Sequence, residues 1–388
     1  MKSILIVGAG RLGKGFIGET FDNAGWKISF LDKNEEVVEN LKQSKAYHVT
    51  VHREDRIDQH EVKGFEVFGC STDYPCMEAV LSADVIALVI YPEDFADAAN
   101  YLGPCLAKRA LLNPTKDLDI LCLTNKNYLM PGIETCFLNA LGTDAAKAWF
   151  KEHVALRDTI IRRGTDAQSN AALQVRTTAV LSLLIQSPLL VGLDDVEWME
   201  PCDNLELLKD IKVFIVNGPH VTAAFAGYLK GYRTINEVRA DSECAALVKA
   251  VHGEAYEGIL REYPITKADL DRLSVFPVAK GEMEDQIYRV AYDPIRKLGR
   301  NDRLTGMAMI CLKNDIDPVA IIQSIANGFA YTNPQDPMAV KLQKEIKEQG
   351  IRYCIMKYCG LEKNHSLVSR IETCYDKIIN DLQIQPKQ

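Results

Sequence analysis

The sequence predicts an α/β domain followed by a mostly α-helical one, and three observations carry that prediction. Lys2–Val7 is a short apolar run that leads straight into a glycine-rich turn. Runs of the same kind recur at Val85–Ile90 and Ile120–Leu123, as strands buried on both faces of a sheet do. From about Asp194 the period changes: apolar residues recur at helical spacing, punctuated by Gly227, Gly231, Pro264, Pro277, Pro294 and Pro318. With 388 residues the chain is long enough for two cores. The boundary is expected between 185 and 205, dividing the chain into 1–195 and 196–388.

The first strand, with Ile4, Leu5, Ile6 and Val7 in sequence, opens onto Gly8-Ala9-Gly10-Arg11-Leu12-Gly13. A helix follows with apolar positions at Leu12, Phe16, Ile17 and Phe21, and Asn23–Gly25 ends it. A second strand, Lys27–Leu31, stops at Asp32, about 20 residues past the last glycine. Strand, G-x-G-x-x-G, helix, strand, acid is the pattern of a Rossmann-type dinucleotide-binding domain. Gly8 allows the tight turn, Gly10 lets the backbone approach a pyrophosphate, and Gly13 lets the helix pack close to the strand. The helix N-terminus favours the negative charge. Asp32 would accept hydrogen bonds from the adenosine ribose and repel a 2′-phosphate, which favours NAD over NADP, with Lys33 as a countervailing charge. The cofactor-binding set is therefore Gly8, Ala9, Gly10, Arg11, Leu12, Gly13 and Asp32. A lone glycine motif is weak evidence; its full βαβ setting is what argues against a turn with no ligand.

Tyr47–Arg53 and Glu61–Val67 alternate well enough for a hairpin-like insertion. His48, His52 and His60 lie near it without metal-ligand spacing and read as strand-face residues. Ile120–Leu123 leads into Thr124-Asn125, and open α/β sheets bind ligands beyond the carboxyl ends of their strands. Asn125 is then placed near the nicotinamide end, or else it simply makes a turn.

In the helical half, Ser242–Glu262, Pro318–Phe329 and Met338–Tyr358 read as amphipathic helices. Two polar clusters stand out. Lys212, Asn217 and His220 fall on one face of a helix, although Pro219 predicts a break or restart near Asn217. Arg289–Leu304 concentrates Arg289, Arg296, Lys297, Arg300 and Arg303 in an otherwise acidic chain. Arginine forks match phosphate oxygens, so this cluster is either a sugar-phosphate contact or a solvated loop paired with Asp293 and Asp302. A lysine beside an NAD site suggests hydride transfer at a carbinol carbon, with the lysine as acid/base and asparagine amides donating to the developing alkoxide. The reacting groups are expected in a cleft between the two domains.

Composition excludes other classes. A net charge of -8 leaves no basic stripe for nucleic acid. No apolar run reaches the roughly 18 residues that a membrane span needs. Eleven scattered cysteines, with no C-x-x-C pair and no signal peptide at the N-terminus, read as reduced thiols in the cytoplasm. No interface is identifiable, and the chain is expected as a monomer or a weak homodimer.

The sequence resembles the polyol-specific long-chain dehydrogenase/reductase (mannitol dehydrogenase) family. The resemblance rests on G-A-G-R-L-G-K-G-F-I-G at 8–18, Asp32, Asn125 in C-L-T-N, D-N-L at 203–205, the Lys212, Asn217, His220 spacing, and D-P-I-R-K-L followed by N-D-R-L at 293–304. It departs at Pro219 and around Gly192–Trp198. It implies a helical C-terminal domain and a metal-independent, NAD-dependent oxidoreductase. It also implies Lys212 as the acid/base, Asn125 and Asn217 as the oxyanion hole, and His220 as the residue that positions substrate. The length suits phosphate-using members, so the expected reaction interconverts a polyol phosphate and a ketose phosphate, mannitol 1-phosphate and fructose 6-phosphate above all. Arg296, Lys297 and Arg303 would hold the phosphate. The alternatives are a dehydrogenase of an unphosphorylated polyol or sugar acid, and a non-catalytic NAD sensor.

Overall fold

The computed structural model describes residues 1–275, 277–281 and 284–384. It divides into two compact units, Met1–Lys209 with Phe276–Glu282, and Asp210–Val275 with Met283–Gln388. In chain order the strands of the first unit are β1 (Ser3–Val7), β2 (Lys27–Asp32), β3 (Ala46–His52), β4 (Ile57–Lys63), β5 (Glu66–Gly69) and β6 (Val85–Leu88). They continue with β7 (Leu118–Cys122), β8 (Val154–Ile160), β9 (Thr165–Asp166), β10 (Gln174–Thr178), β11 (Leu183–Gln186) and β12 (Met199–Cys202).

Eight of these form one sheet in the order β12-β11-β8-β7-β6-β1-β2-β5. From β5 to β8 every pairing is parallel; β11 joins β8 antiparallel and β12 extends it. The alternation of β1 decides what each face covers. Ile4 and Ile6 pack with Phe16, Phe21 and Phe30 on one side. Leu5 and Val7 pack with Val80, Phe95 and Leu102 on the other. Each such fully buried side chain stabilises the fold by about 1.5–3 kcal/mol. Winding runs from β1 out to β2 and β5, then returns to β6 on the opposite side of β1. The carboxyl ends of β1 and β6 therefore bound the crevice where open α/β sheets take ligands.

The expected hairpin is present but shifted. β3 pairs antiparallel with β4, from Ala46 opposite Lys63 to His52 opposite Ile57, in a separate four-stranded sheet where β10 runs parallel to β3. β5, predicted as the hairpin's end, belongs to the main sheet beside β2. The reason is local: Val62 is the one fully buried residue of β4, so alternation there says little about register. Gly64, at φ +75°, lets the chain leave the hairpin, and the next residues, Phe65 and Val67, pack on the main core.

The second unit is helical throughout its regular elements. Ser242–Glu262 is found as predicted, capped by Asp241 on Cys244 N–H. Val319–Phe329 begins where Glu254 accepts from the N–H groups of Ala320 (2.7 Å) and Ile321 (2.9 Å). The single helix expected over Met338–Tyr358 is two, Pro337–Gln349 and Ile351–Cys359, broken at Gly350 with φ +84°.

Candidate active site

The glycine turn differs in kind at its three positions. Gly8 has φ +101°, and a Cβ there would lie 2.3 Å from the Val89 carbonyl oxygen. At Gly13 a Cβ would lie 2.0 Å from the Gly8 carbonyl oxygen. Gly8 is glycine because the turn presses on the backbone just after β6, and Gly13 because the first helical turn meets the end of β1 too closely for a side chain. At Gly10 the nearest atom to a Cβ is Asn170 Oδ1, at 3.4 Å, so the protein's own packing does not demand glycine there. Gly10 instead lines a cavity of about 820 Å³, which a side chain would invade. Gly8, Arg11, Leu12, Gly13 and Asp32 line the same cavity. Ala9 is buried, and its N–H donates to Asp32 Oδ2 at 2.7 Å. The helix behind the turn opens with a widened stretch, Gly13–Gly18, before a regular turn at Glu19–Asn23. A backbone cradle at a helix start with a carboxylate at the end of β2 fits a dinucleotide such as NAD.

Two buried cations behind this turn were not singled out by sequence reasoning. Lys14 is fully buried and donates to Ala9 O (2.8 Å) and Asn170 O (2.6 Å), pinning the loop that carries Asn170 against the glycine turn. Burial lowers its amine to about 8, against the pull of Asp32. Arg163 pairs with Glu19 at 2.8 Å, both side chains almost wholly covered. The lone signal for either was proximity to the glycine motif or to β8.

Asn125 follows β7 and lines the cavity. Its Oδ1 accepts from the Ile161 N–H at 3.0 Å, which orients the amide so that its NH₂ is the donor end. That is the polarity an alkoxide requires. Nearby, Lys209 is buried and donates to Asp158 Oδ1 (2.5 Å) and Lys126 O (3.1 Å). Burial lowers the Lys209 amine and raises the Asp158 carboxyl, while their mutual hydrogen bond opposes both shifts. Lys209 stands three residues before Lys212 on the same helix, a spacing that was the available clue.

In the second unit the predicted break is seen. Lys212 is in the last turn of Leu205–Ile215, and Asn217 opens Asn217–Leu229, with Val216 distorted between them. Pro219 is the third residue of the new helix, where a backbone N–H has no intrahelical acceptor to lose. Val216 N–H to Lys212 O (3.1 Å) and His220 N–H to Val216 O (3.2 Å) carry the helical phase across the break. The spacing that sets Lys212, Asn217 and His220 on one side is thus preserved. His220 Nε2 lies 2.9 Å from Asp285 Oδ2. Arg289 in turn grips Asp285, with Nη2 at 2.7 Å. Burial raises the Asp285 carboxyl, but the His220 and Arg289 bonds outweigh it and hold the group below its ordinary value. Arg289 therefore reaches the histidine through Asp285, whereas Arg296 and Arg303 pair with Asp293 and Asp302.

Arg303 Nε lies 2.7 Å from Asp302, while the more exposed Arg296 shares Asp302 and Asp293 at 3.6 Å each. Lys297 is buried, with its amine on the Tyr292 carbonyl. Burial, then the charges of Arg303 and Arg296, lower that amine to about 8. Among the described residues no group of three or more His, Cys, Asp or Glu could hold a metal ion, and no helix is long and apolar enough to cross a membrane.

Comparison with known proteins places the chain in a family. Residues 2–185 match the mannitol dehydrogenase Rossmann domain, and residues 204–379 match the mannitol dehydrogenase C-terminal domain. The chain is 28% identical to a mannitol-1-phosphate 5-dehydrogenase of Thermoanaerobacter pseudethanolicus, over 96% of each protein. It is 26% identical to one of Caldanaerobacter subterraneus subsp. tengcongensis, over 97% of this chain and 98% of that one. Among solved structures, a substrate-free D-sorbitol dehydrogenase superposes with a TM-score of 0.76 at 15% identity, covering 98% of this chain and 94% of that one. The Pseudomonas fluorescens mannitol 2-dehydrogenase ternary complex with NAD and D-mannitol gives 0.65 at 14% identity, with the same coverage. With both domain models matched in order along the chain, this protein belongs to the mannitol dehydrogenase family.

Proposed function

We propose that this protein is an NAD-dependent oxidoreductase that interconverts a polyol phosphate and a ketose phosphate, with mannitol 1-phosphate and fructose 6-phosphate as the first pair to test. What carries the reading is the Lys212, Asn217, His220 set on two phase-matched helices, in a chain whose curated relatives over nearly full length are mannitol-1-phosphate 5-dehydrogenases. NAD, when bound, supplies the hydride acceptor. Gly8, Gly10 and Gly13 admit its pyrophosphate to the backbone, and Asp32 takes the adenosine ribose. Lys212 removes the alcohol proton in oxidation and returns it in reduction. Asn125 and Asn217 donate to the oxygen as its charge develops, which lowers the barrier most where the charge is largest. His220, held by Asp285, orients a neighbouring hydroxyl. Arg296, Lys297 and Arg303 are the candidate phosphate contacts.

A second reading, an unphosphorylated polyol or sugar acid as substrate, is favoured by one observation: Arg296 and Arg303 are already paired with Asp293 and Asp302. The two are separated by following NADH oxidation with fructose 6-phosphate and with free fructose, each repeated in EDTA. Turnover on the phosphate alone, unaffected by EDTA, supports the first reading; turnover on fructose alone moves the substrate to the second. Lys212→Ala should lower kcat by about 10²–10⁴ with NADH affinity unchanged. A variant that keeps a tenth of the activity removes Lys212 as the acid/base.

A further inference from the structure

Lys33 directly follows Asp32 at the rim of the cavity, and taken alone it would invite a 2′-phosphate. The structure shows where its charge goes. Lys33 Nζ lies 2.6 Å from Asp94 Oδ1. Asp94 belongs to the segment after β6, so the pair reaches from the end of β2 to the far side of β1. Asp94 occupies the cap position of the 18-residue helix Phe95–Leu112, yet its side chain makes no capping bond there. It is spent on Lys33. Asp97, in the first turn of that helix, lines the cavity together with Asp32, Lys33 and Asp94. Without those acids, the start of a long helix beside a free lysine would be a good phosphate site. With them, the cavity lining carries Asp32, Asp94 and Asp97 beside a lysine that is already paired.

We infer that Asp94 is a specificity-determining residue, which withholds Lys33 from a 2′-phosphate and so reinforces the selection of NAD over NADP that Asp32 begins. The inference rests on the cavity being the NAD site, as proposed above. Asp97 adds repulsion at the same place and attracts Lys33 only through its charge, a smaller effect than the hydrogen bond to Asp94.

The test is binding of NADH and NADPH to the full chain, followed by nucleotide fluorescence without any second substrate. Four proteins are compared: wild type, Asp94→Asn, Lys33→Ala and the double variant. Asp94→Asn keeps the side-chain shape, and NADH affinity serves as its control for folding. It should raise the NADPH-to-NADH affinity ratio about tenfold, the scale of one partly screened charge a few ångströms away. Lys33→Ala alone should not raise the ratio, and the double variant should keep less than about a third of the rise, since the freed lysine is its source. An unchanged ratio in Asp94→Asn, or an equal rise in the double variant, overturns the inference while NADH binding leaves the cofactor reading standing. Wild type that binds neither nucleotide overturns both.

Discussion

The pair Glu19–Arg163 offers a sharp test of what holds the cofactor turn in place. Arg163, just past β8, reaches the helix behind the glycine turn. Its Nη2 lies 2.8 Å from Glu19 Oε2, its Nη1 donates to Thr20 Oγ1 (3.1 Å), and its Nε donates to Thr177 Oγ1 (3.0 Å) on β10. Its guanidinium also sits 4.6 Å from the Phe16 ring centre. The side chains are 0% and 3% exposed, so truncating one strands the other's charge. Burial already lowers the Arg163 pKa, with Glu19 opposing that shift; Glu19→Ala removes the opposition. Breaking a buried pair in this way costs about 3–5 kcal/mol, against a total stability of about 5–15. At about 2–4 °C per kcal/mol for a domain of this size, Tm should fall by about 6–20 °C. All three tryptophans, Trp26, Trp149 and Trp198, lie in the first unit, so their fluorescence reports its unfolding specifically. The double variant Glu19→Leu with Arg163→Met removes both charges and should recover most of the loss. A Tm drop under about 3 °C in Glu19→Ala, or additive losses in the double variant, would refute the claim that this pair is a coupled, desolvated strut.

Three further predictions concern the same unit. Gly13→Ala should destabilise it by about 2 kcal/mol or more, because the new Cβ meets the Gly8 carbonyl and not a movable side chain. Gly10→Ala should leave the urea midpoint within error of wild type yet weaken NADH binding at least about tenfold; equal effects of both on stability would show that Gly10 serves packing, not the ligand. His60 Nε2 lies 2.7 Å from Asp22, and that hydrogen bond raises the imidazole above its ordinary 6.5, with burial opposing. The added stability is full below about pH 6.5, the unfolded value, and is lost as pH rises through the raised folded-state value. Urea midpoints of wild type and His60→Gln should therefore differ most near pH 6 and converge near pH 9, and a constant or widening gap would count against the pair.

What could be read from the sequence follows from the range of the forces involved. Gly8, Gly13 and Asp32 are specified by a tight turn, a close helix crossing and a strand end, all within a few residues, and the pattern exposes them. Pro219 was legible as a break for the same reason, though the distortion falls one residue early, at Val216, because proline is tolerated in a first helical turn. Lys14, Arg163 and Lys209 were not legible. In a string of letters each is an ordinary charge, and the partner that allows it to be buried is 156, 144 and 51 positions away. Arg289 failed differently: it sits among phosphate-binding candidates in sequence, but four residues back lies Asp285, whose Oδ2 is shared between Arg289 and His220. Local composition identifies a cationic cluster, whereas the division of labour inside it depends on which acid the fold brings within reach. The same logic makes Lys33 ambiguous until Asp94 is seen. A lysine after Asp32 is compatible with either nucleotide, and the discriminating charge arrives from the loop after β6, on the other side of the strand that begins the chain.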